Sequence, residues 1–232
     1  MSRGALGARP NRSGGRQLIR VAVVGNRAAT RETIVRLVDA EPDLEVVATG
    51  TSAADALDLT AEARPAVVML DLSEGPARPE EVTRAILEEG GRRTAVLALA
   101  GPGSEAETDR RAWEAIRAGA AGFCTQTDSP AELLRSIRVV AQGDAVVSPS
   151  VLRSLLDRLA PSGMGAFTSC SGREIEVLEL VARGATNGEI AEQLAISETT
   201  VRTHVQHLRD KLCARNRIEL VVLANRSGLG LA

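Results

Sequence analysis

The chain has 232 residues, of which 44% are hydrophobic, with 28 basic and 30 acidic side chains and a net charge of −2. That length leaves room for two separate cores, and the near-neutral balance excludes a globally basic nucleic-acid binder, so any DNA affinity must be local. Aromatics make up 1% of the residues, so the cores must be aliphatic, and Cys124, Cys170 and Cys213, scattered and odd in number, argue against a disulfide framework and for a reducing, cytoplasmic setting.

Residues 1–17 carry Arg3, Arg9, Arg12 and Arg16 among Gly, Ser and Pro without an acidic residue, and are expected to form a disordered basic tail. Their apolar run is too short for a signal peptide, and no later stretch approaches a membrane span. From Leu18 onward, short β-branched or apolar runs at residues 18–24, 44–49, 66–70, 95–99 and 122–125 alternate with amphipathic stretches. Ser52 with Asp55 predicts one helix start, and Ser129 before Pro130 opens another that ends near Gly143. Five βα units predict an α/β fold, a doubly wound parallel sheet with helices on both faces. In such sheets function gathers at the carboxyl ends of the strands, here Gly25, Asn26, Asp71, Ala100 and Gln126.

After Gly143 the pattern changes. Residues 144–166 read as a linker holding a short amphipathic helix at 151–159 and a breaker-rich stretch at 160–165. Residues 167–232 then announce four helices by their caps: Ser171 with Glu174, Thr186 with Glu189, Ser197, and Asn216 with Glu219. The tight join Ala195-Ile196-Ser197 between the second and third makes a helix-turn-helix. In the third helix Val201, Val205, Leu208 and Leu212 form the stripe expected to be buried, which turns Arg202, Thr203 and Gln206 outward with Arg209 alongside. Arg can pair with guanine, Gln with adenine, and a Thr methyl can touch thymine. Thr199 and Thr200 at the helix amino end suit phosphates, as do Lys211, the only lysine, and Arg215.

The run Ser171-Gly172-Arg173-Glu174 through Gly184, then residues 187–194 and 197–212, resembles the LuxR-type output domain. Asp71 after Val67-Val68-Met69-Leu70, with Gly119-Ala120-Ala121-Gly122-Phe123 later, resembles the receiver of two-component response regulators. Together they resemble the NarL/FixJ family, and more narrowly its atypical actinobacterial members, among them developmental regulators of the sporulation kind. The resemblance implies a flavodoxin-like (βα)5 receiver at residues 18–143 and an all-α four-helix output domain at 167–232.

It also implies a phosphorylation pocket, of which this chain keeps only Asp71. Gly25 and Asn26 stand where the family has two acidic residues, Ala100 where it has Thr or Ser, and Gln126 where it has Lys. Phosphoryl transfer to a carboxylate needs a Mg²⁺ held by several acidic oxygens and a cation on the phosphoryl group, so the pocket reads as degenerate. The family uses the last helix to dimerise, which makes Ile218, Val221 and Val222 the expected contact residues. The chain is therefore expected to be no enzyme but a regulator that binds double-stranded DNA as a homodimer, or as a heterodimer with another response regulator, without phosphorylation. The alternatives are a conventional regulator phosphorylated on Asp71 and an interaction module that needs a partner to bind DNA. A nucleotide-dependent oxidoreductase is disfavoured because the loop after the first strand has a single glycine and no acid, base or nucleophile accompanies it. No cofactor and no metal is expected; His204 and His207 lack further ligands around them.

Overall fold

The computed structural model describes residues 18–73, 79–101, 103–147, 151 and 167–229. The expected basic tail, the helix at 151–159 apart from Val151, and the stretch at 160–165 lie outside them. Among the described residues no helix is long and apolar enough to cross a membrane.

Five strands, β1 (Ile19–Val24), β2 (Leu44–Gly50), β3 (Val67–Asp71), β4 (Ala95–Ala100) and β5 (Gly122–Thr125), form a parallel sheet in the order β2-β1-β3-β4-β5. Successive strand residues point to opposite faces. Val21, Val23, Val67, Met69, Leu97 and Leu99 pack under α1 (Ala28–Asp39) and α5 (Pro130–Ala141). Ala22, Val24, Val68, Leu70, Val96 and Ala98 pack under α2 (Ala53–Ala63), α3 (Pro79–Gly90) and α4 (Glu105–Ala118). Both faces being buried, the central strands read as unbroken apolar runs. The expected cap of Ser52 with Asp55 is formed as a capping box, and Ser129 opens α5 before Pro130 with Glu132 completing a second box.

Residues 167–229 form four helices: α6 (Gly172–Ala182), α7 (Asn187–Leu194), α8 (Glu198–Lys211) and α9 (Arg217–Arg226), capped at Ser171, Thr186, Ser197 and Asn216. Their core is Val177, Leu178, Val181, Ile190, Val201, Leu208 and Leu220. Each such side chain contributes about 1.5–3 kcal/mol by leaving water, and Leu208→Ala alone would cost about 2–5 kcal/mol. Leu212 is only half-buried, because α8 ends at Lys211 and Leu212 caps it.

Two features depart from the sequence reading. The linker does not begin at 144: Val146 bridges to Gly122, and its backbone exchanges hydrogen bonds with Phe123 (2.9 Å) and Ala121 (3.2 Å), so the chain still pairs with the edge of the sheet at 146. Nor does α9 present Ile218 and Val222 to solvent. Both are buried, 2% and 1% exposed, in the cluster formed by α3, α4 and their face of the sheet. Val221 is half-buried against the output core. The apolar surplus of α9 is taken up by the receiver of the same chain.

Polar groups fix this junction. Asn216 accepts from Glu219 N (2.8 Å) as the cap of α9, while its Nδ2 donates to the carbonyls of Ile116 (2.7 Å) and Ala120 (3.0 Å) at the end of α4. The Arg217 guanidinium, 7% exposed, lies 3.3 Å from Asp144 and donates to Asn187 Oδ1 (2.7 Å) and Ala185 O (2.5 Å). Asn187 N in turn donates to Asp144 Oδ1 (3.2 Å). Burial raises the Asp144 carboxyl above its ordinary value, against the opposing pull of Arg217.

Candidate nucleic-acid interface and receiver pocket

The helix-turn-helix is α7 and α8. Ala195 closes α7 in the left-handed region at φ 53°, which lets the chain reverse within two residues before Ser197 starts α8 by accepting from Thr200 N (3.1 Å). The buried stripe Val201, Val205 and Leu208 fixes α8 on the core, and the opposite side stays open. Thr199, Thr200, Arg202 and Thr203 are exposed, and Gln206 is half-exposed one turn on. Arg202 makes a loose 3.5 Å contact with Glu198, both about half exposed, and Gln206 donates to Asp210 (2.9 Å). Such surface contacts are worth little and are readily exchanged for a base or phosphate.

The remaining basic residues named from the sequence are engaged within the protein. Lys211 donates to Glu174 Oε2 (2.6 Å), tying α8 to the cap of α6; this contact and the Ser171 amide hold the buried Glu174 carboxyl down to about 2. Arg209 donates to Arg215 O and reaches Gln206 (3.4 Å). Arg215 donates to Arg117 O in the receiver (2.9 Å) and pairs with Glu219 (3.3 Å). Arg217, close by in sequence, adds nothing to this surface, because it is buried at the junction. Asp144, Asn187 and Arg217 carry no sequence signal for this role, and Asn216 shows only its cap.

Gly25, Asp71, Ala100 and Gln126 lie at the carboxyl ends of β1, β3, β4 and β5. Asp71 is 8% exposed, and its Oδ1 accepts from the backbone N (2.9 Å) and Oγ of Ser73. Gln126 Nε2 donates to Ser73 Oγ (3.1 Å) and reaches Thr30 Oγ1 (3.4 Å), so it acts on Asp71 through a hydroxyl rather than directly. Among the described residues Asp71 Oδ2 is buried without a hydrogen-bond partner. Gly25 passes so close that a Cβ there would lie 2.7 Å from Asp71 Cβ, and its carbonyl accepts from the Arg31 guanidinium (2.6 Å). Ala100 is fully buried and Asn26 points to solvent. Among the described residues no three His, Cys, Asp or Glu side chains gather as metal ligands. Of the five positions, Asp71 alone offers a carboxylate and the Gly25 carbonyl is held by Arg31, so a Mg²⁺ here would draw most of its six oxygens from water.

Comparison with known proteins agrees with the two-part architecture. Residues 168–224 match the model of the bacterial regulatory proteins of the luxR family. The transcriptional regulatory protein LiaR of Bacillus subtilis is 29% identical over 91% of this chain and 99% of its own. The nitrate/nitrite response regulator protein homolog of Haemophilus influenzae is 31% identical over 88% of this chain and 95% of its own. Among solved structures, a LuxR-family two-component response regulator from Aurantimonas sp. SI85-9A1 superimposes with a TM-score of 0.53 at 27% identity, covering 61% of this chain and 97% of that one. A parallel five-stranded receiver, a helix-turn-helix with its polar face open, and full-length relatives of this kind together mean that the chain belongs to the LuxR-type DNA-binding response regulators.

Proposed function

We propose that this regulator binds specific DNA sequences without phosphorylation of Asp71, as a homodimer or as a heterodimer with another response regulator. The observation that carries the DNA reading is that the receiver docks on α9 and leaves the Thr199 to Gln206 face of α8 exposed. Arg202 and Gln206 sit one turn apart there, spaced to reach neighbouring base edges in the major groove. Thr199 and Thr200, with the amino end of α8, take phosphates, and Arg209, Lys211 and Arg215 can add to this by exchanging their internal partners.

Independence from phosphorylation is supported by what surrounds Asp71. Its Oδ1 is occupied by Ser73, a guanidinium holds the Gly25 carbonyl, and neither Gln126 nor Ala100 supplies the cation or hydroxyl that a phosphoryl group would need. Pairing through Ile218 and Val222 requires the α9 junction to open, whereas Val221 is the member of that set outside the receiver contact. The developmental role implied by the family resemblance would be read from the phenotype of a deletion strain.

Purified full-length protein, with and without acetyl phosphate and Mg²⁺, tests the reading by intact mass and by gel shift on a selected site. The expected result is unchanged mass and the same specific shift in both. Stoichiometric phosphorylation lost in Asp71→Ala would return the protein to the conventional class, and a shift seen only with an added partner would make it an interaction module.

A further inference from the structure

Between α1 and the segment joining β5 to α5 lies a cavity of about 370 Å³. Its floor is Ile34, Leu99 and Leu133, all buried, and its polar rim includes Thr30, Gln126 and Asp128. The cavity sits beyond the carboxyl ends of the strands, where open α/β sheets take their ligands, and its volume suits a small molecule. Among the described residues no basic side chain lines it, whereas Asp128 does. The Asp128 oxygens accept one bond each, from Thr125 N (2.9 Å) and Thr125 Oγ1 (3.0 Å), which leaves lone pairs on both. Charge complementarity thus selects against an anion.

Gln126 is the wall that this cavity shares with the Asp71 pocket. Its Nε2 contacts Thr30 on the cavity side, weakly at 3.4 Å, and Ser73 on the other at 3.1 Å. A ligand that accepts from this amide, or displaces the Thr30 contact, changes how Gln126 holds Ser73 and, through it, Asp71.

We propose that the cavity is a small-molecule input site for a compound with an apolar body and an uncharged or cationic polar end, and that Gln126 transmits its occupancy to the Ser73–Asp71 pair. Binding here is independent of the phosphorylation state of Asp71, so its failure would leave the reading of an unphosphorylated regulator intact.

Three indoles that differ only in their polar end serve as probes: tryptamine, tryptophol and indole-3-acetate, each titrated into ¹⁵N-labelled full-length protein. Tryptamine and tryptophol should give saturable amide shifts at Thr30, Thr33 and Gln126, with indole-3-acetate weaker than tryptamine by about tenfold. Asp128→Asn should weaken tryptamine by about threefold and leave tryptophol unchanged. Thr33 is exposed on α1, so Thr33→Trp fills the mouth of the cavity without entering the core and should abolish all three, with thermal unfolding confirming the fold. Gln126→Ala should keep tryptamine binding and lose its shift at Ser73. Equal affinity for the three probes, shifts that survive Thr33→Trp, or no saturable shift at all would overturn the site. A Ser73 shift that persists in Gln126→Ala would overturn the transmission. If sedimentation shows that Thr33→Trp instead dissolves a dimer, the face belongs to a second copy and the proposal fails.

Discussion

Replacing Gly25 with Asp returns to the sequence one of the acidic groups that a Mg²⁺ site needs, yet the packing leaves it no room. A Cβ at position 25 would meet Asp71 Cβ at 2.7 Å, well inside ordinary contact of 3.4–4 Å. Neither side can retreat cheaply. Gly25 N donates to Gly50 O (3.0 Å), its carbonyl holds Arg31, and Asp71 is the last residue of β3 with Ser73 folded onto it. Overpacking of this kind costs about 1–3 kcal/mol, and a second carboxylate beside a buried one adds to it. At about 2–4 °C per kcal/mol for a chain of this size, the melting temperature should fall by roughly 2–12 °C. Gly25→Ala, which adds the Cβ without the charge, should show most of that loss. Thermal unfolding of wild type, Gly25→Ala and Gly25→Asp, each with and without millimolar Mg²⁺, decides the matter. An unchanged Gly25→Asp melting temperature that rises on adding Mg²⁺ would refute the reasoning, since the pocket would then be closed by residue identity alone.

Arg202→Ala should cost about 1–3 kcal/mol of DNA affinity per half-site and relax preference at particular base pairs; equal weakening on selected and scrambled DNA would remove Arg202 from base reading. Lys211→Met should raise the pH at which the output helices unfold in acid. The Glu174 carboxyl, ordinarily 4.5, is lowered to about 2 when folded, so its contribution is complete above 4.5 and is lost as pH falls toward 2. Without Lys211 that loss should come at higher pH, as circular dichroism during acid titration would record. Asn216→Asp keeps the oxygen that caps α9 but turns the Nδ2 donor into an acceptor facing the Ile116 and Ala120 carbonyls. It should open the junction while the output domain stays folded, seen as a larger radius of gyration in X-ray scattering with unchanged helicity. Ala195→Gly relieves a left-handed residue and should stabilise the protein by up to about 1 kcal/mol, measured as a higher melting temperature.

Much of this molecule is written locally. The strand runs, the Ser and Thr caps with their Asp or Glu partners, and the Val201-Val205-Leu208 stripe each depend on neighbours within a turn or on a period of two residues, so they fix the five βα units, the helix-turn-helix and the outward face of α8 before any long-range contact exists. The place of Gly25, Asn26, Ala100 and Gln126 at strand ends was legible from the same strand pattern, whereas their being substitutions was implied only by the family resemblance. What required the tertiary structure was the fate of groups with more than one possible partner. Lys211, Arg215 and Arg217 are equivalent as charges in a sequence, but packing sends one to Glu174, one to the Arg117 carbonyl and one into a buried pair with Asp144. The apolar surplus of Ile218 and Val222 said only that some surface would cover them. That it is the receiver of the same chain depends on contacts 96 and 100 residues apart, made by Asn216, whose side chain in the sequence promises no more than a helix cap.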